Sequence, residues 1–157
     1  MKVLVAYYSQ TGNTQKMAEF IAESIQKEGV DVDCKRVEEV SARQLVDYQG
    51  IILGSPVYYG TMSYEIKRLL DESIEFHGQL DGKVGGAFSS SANIGGGNET
   101  TILDILNAML IHGIIIQGDF QGDHYGPVSI GMPDRRAKEE CRRFGKRFVS
   151  LLKKIYT

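Results

Sequence analysis

The chain has 157 residues, 42% of them hydrophobic and 24% charged, with two cysteines, no tryptophan and a formal net charge of −2. That size suits one domain, 1–157, with a real core; it leaves no place for a disordered chain, a disulfide scaffold or a four-ligand zinc site. No apolar run approaches the roughly 20 residues of a membrane span, Met1–Ala6 is too short for a signal peptide, and the near-neutral balance argues against nucleic acid, so a cytoplasmic protein is expected. Charge is unevenly spread: nine of the 18 Lys and Arg, but only three of the 20 acidic residues, fall after Met132. The reading is an acidic body with a basic tail, whose last helix is by default a solvated face.

Lys2 to Tyr8 is a β-branched and aromatic run of the kind buried on both faces of a sheet. Gln15 to Glu28 then places Met17, Phe20, Ile21 and Ile25 at helical spacing, with Gly29 as its C-cap. Val30, Val32 and Cys34 alternate with charges, as an edge strand does. Ser41-Ala42-Arg43-Gln44 fits a capping box that opens a short helix through Tyr48. Gly50 to Gly54 is a third strand, and Ile66, Leu69, Leu70 and Ile74 form a second long helical stripe. Lys83 to Ser89 is strand four, followed by the stripe Ile102, Ile105, Leu106, Met109 and Leu110. Ile114 to Ile116 is strand five. Ala137, Cys141, Phe144, Phe148, Leu151 or Leu152, and Ile155 run down one face of a long last helix behind Pro133.

Five strands alternating with five helices imply a parallel α/β sheet covered on both faces, because parallel neighbours need crossovers. In such sheets ligands sit beyond the carboxyl ends of the strands. The first of those loops is Ser9-Gln10-Thr11-Gly12-Asn13-Thr14, three hydroxyls, two amides and a glycine leading into a helix N-terminus. That is a cradle for a phosphate, with hydroxyl and backbone donors and the positive end of the helix dipole; a plain polar turn would need fewer donors. Neither a G-x-x-x-x-G-K-[ST] loop nor a G-x-G-x-x-G fingerprint is present, so nucleotide-triphosphate and dinucleotide sites are not indicated. The third strand ends in Pro56-Val57-Tyr58-Tyr59-Gly60, whose aromatics suit a flat ring with polar edges, unless they simply pack over helix ends. The fourth runs into Ser90-Ser91-Ala92-Asn93-Ile94-Gly95-Gly96-Gly97, where glycines let backbone approach a ligand.

These motifs resemble the flavodoxin superfamily. The first loop matches its pattern [ST]-x-T-G-x-T, and nearly the whole chain is similar to WrbA-type NAD(P)H:quinone oxidoreductases. Pro56 through Met62 looks like their flavin-ring loop, Phe88-Ser89-Ser90 and Gly95 through Thr100 like their serine and triple-glycine segment, His112-Gly113 like their flavin-contacting histidine, and Tyr125-Gly126 like their tyrosine-glycine loop. The resemblance implies a flavodoxin-like three-layer sandwich with sheet order 2-1-3-4-5, holding one FMN non-covalently. Ser9 through Thr14 would take the phosphate. Pro56, Val57, Tyr58, Tyr59, Gly60, Asn93 and Gly95 would flank the ring, with Ser90, Ser91, His112 and Tyr125 as further contacts. Gly60 and Gly95 are the glycines best placed to turn a carbonyl towards the ring's N5 edge. The expected activity is transfer of electrons from NADH or NADPH through FMN to a quinone or similar small-molecule acceptor. The alternative is a flavodoxin-type one-electron carrier between redox partner proteins. The chain lacks the insertion by which the oxidoreductases build a tetramer, leaving room for a dimer, and it lacks the tryptophan they place over the substrate.

No acid, base or nucleophile is placed so as to demand a chemical role, so no catalytic residue and no metal ligand is assigned. Cys141 and Arg147 form the phosphatase spacing C-x5-R, but on the apolar stripe of a helix rather than in a loop of amides. Cys34 and Cys141 read as buried thiols.

Overall fold

The computed structural model describes residues 1–156. Six strands and four α-helices run β1 (Lys2–Tyr7), α1 (Asn13–Lys27), β2 (Asp31–Arg36), β3 (Gly50–Pro56), α2 (Tyr64–Glu72), β4 (Val84–Ser91), α3 (Asn98–Ile111), β5 (Ile115–Ile116), β6 (Val128–Ile130) and α4 (Arg135–Tyr156). The sheet is parallel in order β2-β1-β3-β4-β5, with β6 also paired to β4. Alternation along β1 divides the core: Val3, Val5 and Tyr7 pack with Met17, Ile21 and Ile25 of α1 and Phe148, Val149 and Leu152 of α4. Leu4 and Ala6 face Ile66 and Leu69 of α2 and Ile102 and Ile105 of α3. A period-2 strand in a sheet covered on both faces requires this division.

Two expectations are corrected and one takes a tighter form. The short helix expected from Ser41 to Tyr48 is a 3₁₀ segment, Ala42–Asp47, opened by the expected capping box, with Gln44 Oε1 accepting the Ser41 amide at 2.8 Å. The buried ammonium of Lys83 donates to the carbonyls of Val46 and Tyr48 at the end of this segment. Cys34 is exposed on the edge strand β2, whereas Cys141 is fully buried; burial pushes the Cys141 thiol up to about 12. The expected strand at Ile114 to Ile116 is one half of a split edge. β5 pairs with Val84 and Gly85, and β6 with Ser89 to Ser91.

The segment 117–127 between these halves bulges over α4 and is tied there by charge. Asp119 accepts two N–H groups of Arg143, each at 2.7 Å, and lies 3.4 Å from Arg147. Arg136 holds Asp123 at 3.0 and 3.1 Å, and Asp123 in turn accepts the Val128 amide that starts β6. The Arg143 hydrogen bonds hold the Asp119 carboxyl well below the usual carboxylate range. A depressed folded pKa stabilises above the unfolded value of about 4 and loses that contribution as pH falls towards the folded one. Asp119→Asn is therefore expected to cost about 1 kcal/mol at pH 7. The gap from wild type should shrink steadily below about pH 4, which urea titrations at stepped pH would follow.

Candidate functional site

The carboxyl ends of β1, β3 and β4 lie side by side, because Pro56 pairs with Ser90 and Tyr7 with Gly54. The three loops nominated from sequence therefore converge. Loop residues 8–12 lead into α1, residues 57–63 into α2, and residues 92–97 into α3.

The helix starts differ in a way that marks the site. α2 begins with an ordinary cap, the Ser63 hydroxyl accepting the Ile66 amide. α1 and α3 begin instead at Gly12 (φ +97°) and Gly97 (φ +104°), and neither has a side-chain cap. Left-handed backbone is cheap only for glycine, and it turns the chain so that first-turn amides face outward with no side chain to accept them. Uncapped amides at a helix N-terminus favour an anion. A Cβ on Gly12 would meet nothing within 4 Å, so the start of α1 is open, whereas one on Gly97 would lie 2.8 Å from Gly60 Cα, so the start of α3 is packed against the loop after β3. Ser9 stays close by accepting the Gly12 amide at 3.1 Å.

Contacts between loops fix their relative positions. The buried Thr14 and Ser90 hydroxyls are 2.9 Å apart, linking the start of α1 to β4. Tyr58 donates its hydroxyl to Gln10 at 3.0 Å and meets the Tyr8 ring edge-on at 6.3 Å. Burial raises the Tyr58 phenol above its ordinary value, so it stays a hydrogen-bond donor at neutral pH. The turn Tyr58–Thr61 closes with two backbone hydrogen bonds, 3.0 and 3.2 Å long. Tyr59 (φ +52°) and Gly60 (φ +79°) occupy its middle, the geometry of a type I′ turn. Ser91 accepts the buried Asn98 amide at 2.9 Å while Ser89 donates to the Asn98 side-chain oxygen at 2.7 Å, which moulds the third loop from beneath. Asn93 and Gly95 (φ +67°) lie on its exposed crest with Ile94.

Ser9, Gln10, Thr11, Gly12, Asn13 and Thr14 thus stand beside Pro56 to Gly60 and beside Ser90, Ser91, Asn93 and Gly95. His112 and Tyr125 do not. His112 ends α3, whose other end meets the site; the 14 residues between span about 20 Å of helix. Its Nε2 is 2.8 Å from the Ser73 hydroxyl, which itself donates to the Leu70 carbonyl. Tyr125 belongs to the 117–127 bulge and lines the crevice there with Phe144, Arg147 and Leu151. Its neighbour Gly126 lies against Ala87, four residues before the end of β4 or about 13 Å down the strand.

Sequence reasoning also missed participants. The first loop carries no cation, yet Arg36 at the end of β2 donates to the Ser9 carbonyl at 3.0 Å and lies over the Tyr8 ring; Glu38 balances it at 3.0 Å. Thr100 and Asp104 of α3 reach back to the Tyr58–Thr61 turn. Only the pairing of β2 with β1 and the packing of α3 create these contacts, so no local pattern announces them. Among the described residues there is no cluster of three metal-ligating side chains and no helix long and apolar enough to cross a membrane.

Residues 4–94 match the flavodoxin domain family. A flavodoxin of Aquifex aeolicus is 41% identical over 94% of this chain and 85% of its own length. One from Clostridium saccharobutylicum is 34% identical over 99% and 100%. An NAD(P)H dehydrogenase (quinone) of Archaeoglobus fulgidus is 31% identical over 98% of each. Among solved structures, a flavodoxin from the domain Archaea superposes with a TM-score of 0.81 at 27% identity, covering 98% of this chain and 99% of that one.

Proposed function

This chain belongs to the flavodoxin family, and from that premise we propose that it binds FMN and carries electrons between redox partner proteins. The observation that carries the FMN reading is the uncapped start of α1 at Gly12, with open space at the glycine, set beside the loops that follow β3 and β4. The donor set fits the group: first-turn amides of α1 with Ser9, Thr11, Asn13 and Thr14 suit a phosphate monoester. A loop of this kind should prefer FMN to riboflavin. Val57, Tyr58, Tyr59, Gly60, Asn93 and Gly95 would flank the ring, and Ser90 and Ser91 would act beneath it by fixing Thr14 and the third loop. When bound, FMN supplies the redox chemistry, while the protein supplies binding, orientation and electrostatic setting.

Sequence reading leans slightly to an enzyme; the balance now moves to the carrier. The relatives from Aquifex aeolicus and Clostridium saccharobutylicum both bear the name flavodoxin. The tips of the ring-flanking loops are also open to solvent, with Tyr59 fully exposed and Ile94 91% exposed. Apolar tips beside an open site suit a group presented to a protein surface more than one enclosed with a small donor. The likeness to an NAD(P)H dehydrogenase (quinone) over nearly the whole chain keeps the oxidoreductase as the second reading.

Reconstitution with FMN and then rapid mixing tests both parts. The expected result is a yellow complex that dithionite reduces and that neither NADH nor NADPH bleaches within seconds. A protein that takes up no FMN ends the cofactor reading. Rapid bleaching by NADH or NADPH, with reoxidation by a quinone, replaces the carrier with the oxidoreductase.

A further inference from the structure

Tyr59 is the one non-glycine residue with positive φ among those described, and its side chain is wholly exposed. A type I′ turn asks for Asn, Asp or Gly at this position, and a residue with a Cβ pays for the left-handed conformation. Such strain persists only where the surroundings over-determine it. Here they do so from one side. Thr100 Oγ1 donates to the Gly60 carbonyl at 2.5 Å, and Thr61 Oγ1 donates to Asp104 Oδ2 at 2.6 Å. Thr100 and Asp104 are four residues apart and so lie above one another on a single face of α3. Gly97, which starts that helix, approaches so closely that a Cβ there would lie 2.8 Å from Gly60 Cα.

We propose that Thr100 and Asp104 are positioning residues: together they latch the Tyr58–Thr61 turn to α3, holding Tyr59 outward and the Gly60 carbonyl tied down, and so shape the ring side of the flavin site. This rests on the FMN reading for its ligand, but not for the latch itself. The chemistry is a two-point clamp, one hydroxyl donating to a backbone carbonyl and one carboxylate accepting from a side-chain hydroxyl. It fixes both arms of a turn that its own sequence does not favour. Because the clamp acts at the ring side, its loss should weaken binding of any flavin, with or without phosphate.

The test uses Thr100→Val, Thr100→Ser and Asp104→Asn in the full chain. In the protein without flavin, amide hydrogen exchange at Tyr58 and Thr61, which bond across the turn, should quicken about tenfold in Thr100→Val and Asp104→Asn, and recover in Thr100→Ser. Flavin fluorescence titrations should show FMN and riboflavin weakened by a common factor of about five in the first two variants, with wild-type affinity restored by serine and melting temperatures little changed. Unaltered exchange at both amides overturns the latch whatever the ligand. Faster exchange with unchanged flavin affinity, or a loss confined to FMN, overturns its role at the ring. If wild type binds neither flavin, the cofactor reading fails and the role at the ring fails with it, while the exchange measurement still decides the latch.

Discussion

Asn13→Asp is expected to weaken FMN binding about a hundredfold while leaving riboflavin binding and the fold nearly untouched. The substitution keeps shape and size and adds one negative charge at the first residue of α1. For the helix this is favourable: α1 has no acidic residue in its first turn, and a carboxylate there is worth about 0.5 kcal/mol against the helix dipole. For a phosphate monoester it is costly, because that group carries between one and two negative charges at neutral pH. Two unit charges about 5 Å apart interact by roughly 3 kcal/mol at an effective dielectric of about 20. Exposure reduces that figure and the second phosphate charge restores part of it, so a net loss of about 3 kcal/mol, or two decades in affinity, is the expected size. Fluorescence titration with both flavins and a melting curve measure everything needed. Equal weakening of FMN and riboflavin would place the phosphate elsewhere. An unchanged FMN affinity would show that Asn13 does not face it.

The contrast between Asn13 and Arg36 explains which parts of the site were legible. Ser9 through Thr14 could be read because the whole device is local: a strand, a glycine that takes φ +97°, and a helix whose first amides go uncapped. The two-faced core was legible for a similar reason, since alternation along β1 needs only six consecutive residues. Arg36 becomes part of the same loop only through the register that sets it beside Tyr7. Nothing in the string Cys34-Lys35-Arg36 says which loop the guanidinium will meet. His112 is the opposite case. A local likeness grouped it with the flavin contacts, while the structure sets it at the end of α3, 14 helical residues from the third loop. The edge at β5 and β6 was missed because Gln117 to Pro127 has the composition of a surface loop and gives no sign that the chain rejoins the same neighbour, β4. Length and periodicity identify elements; they do not report that one edge position is filled twice.

That double filling gives Gly126→Ala a large expected cost to stability. Gly126 is where the 117–127 segment comes back to the sheet, with φ +149° and its surface buried. A Cβ there would lie 2.0 Å from the Ala87 carbonyl oxygen and 3.1 Å from its carbon. Those atoms are backbone in the middle of a central strand, so they cannot step aside as a side chain could. The 117–127 segment must move instead, and it is joined directly to β6. The Pro127 carbonyl accepts the Ser89 amide at 3.1 Å, and Ser129 pairs with Ser90. Strain at the new φ and the forced displacement add to a loss of about 3 kcal/mol or more. Gly131→Ala is the matched control: it too has positive φ, +65°, but nothing lies within 4 Å of a Cβ there, so about 1 kcal/mol is expected. Ser90 also holds the buried Thr14 hydroxyl at 2.9 Å. Displacing β6 should therefore loosen the start of α1, and FMN should bind Gly126→Ala more weakly even below its melting temperature. Denaturant curves for the two alanine variants, with FMN titrations on each, separate the effects. Similar stabilities in the two would mean that the segment tolerates a shift without dragging β6. A large loss of stability with unchanged FMN affinity would mean that Ser90 keeps its place without its neighbour.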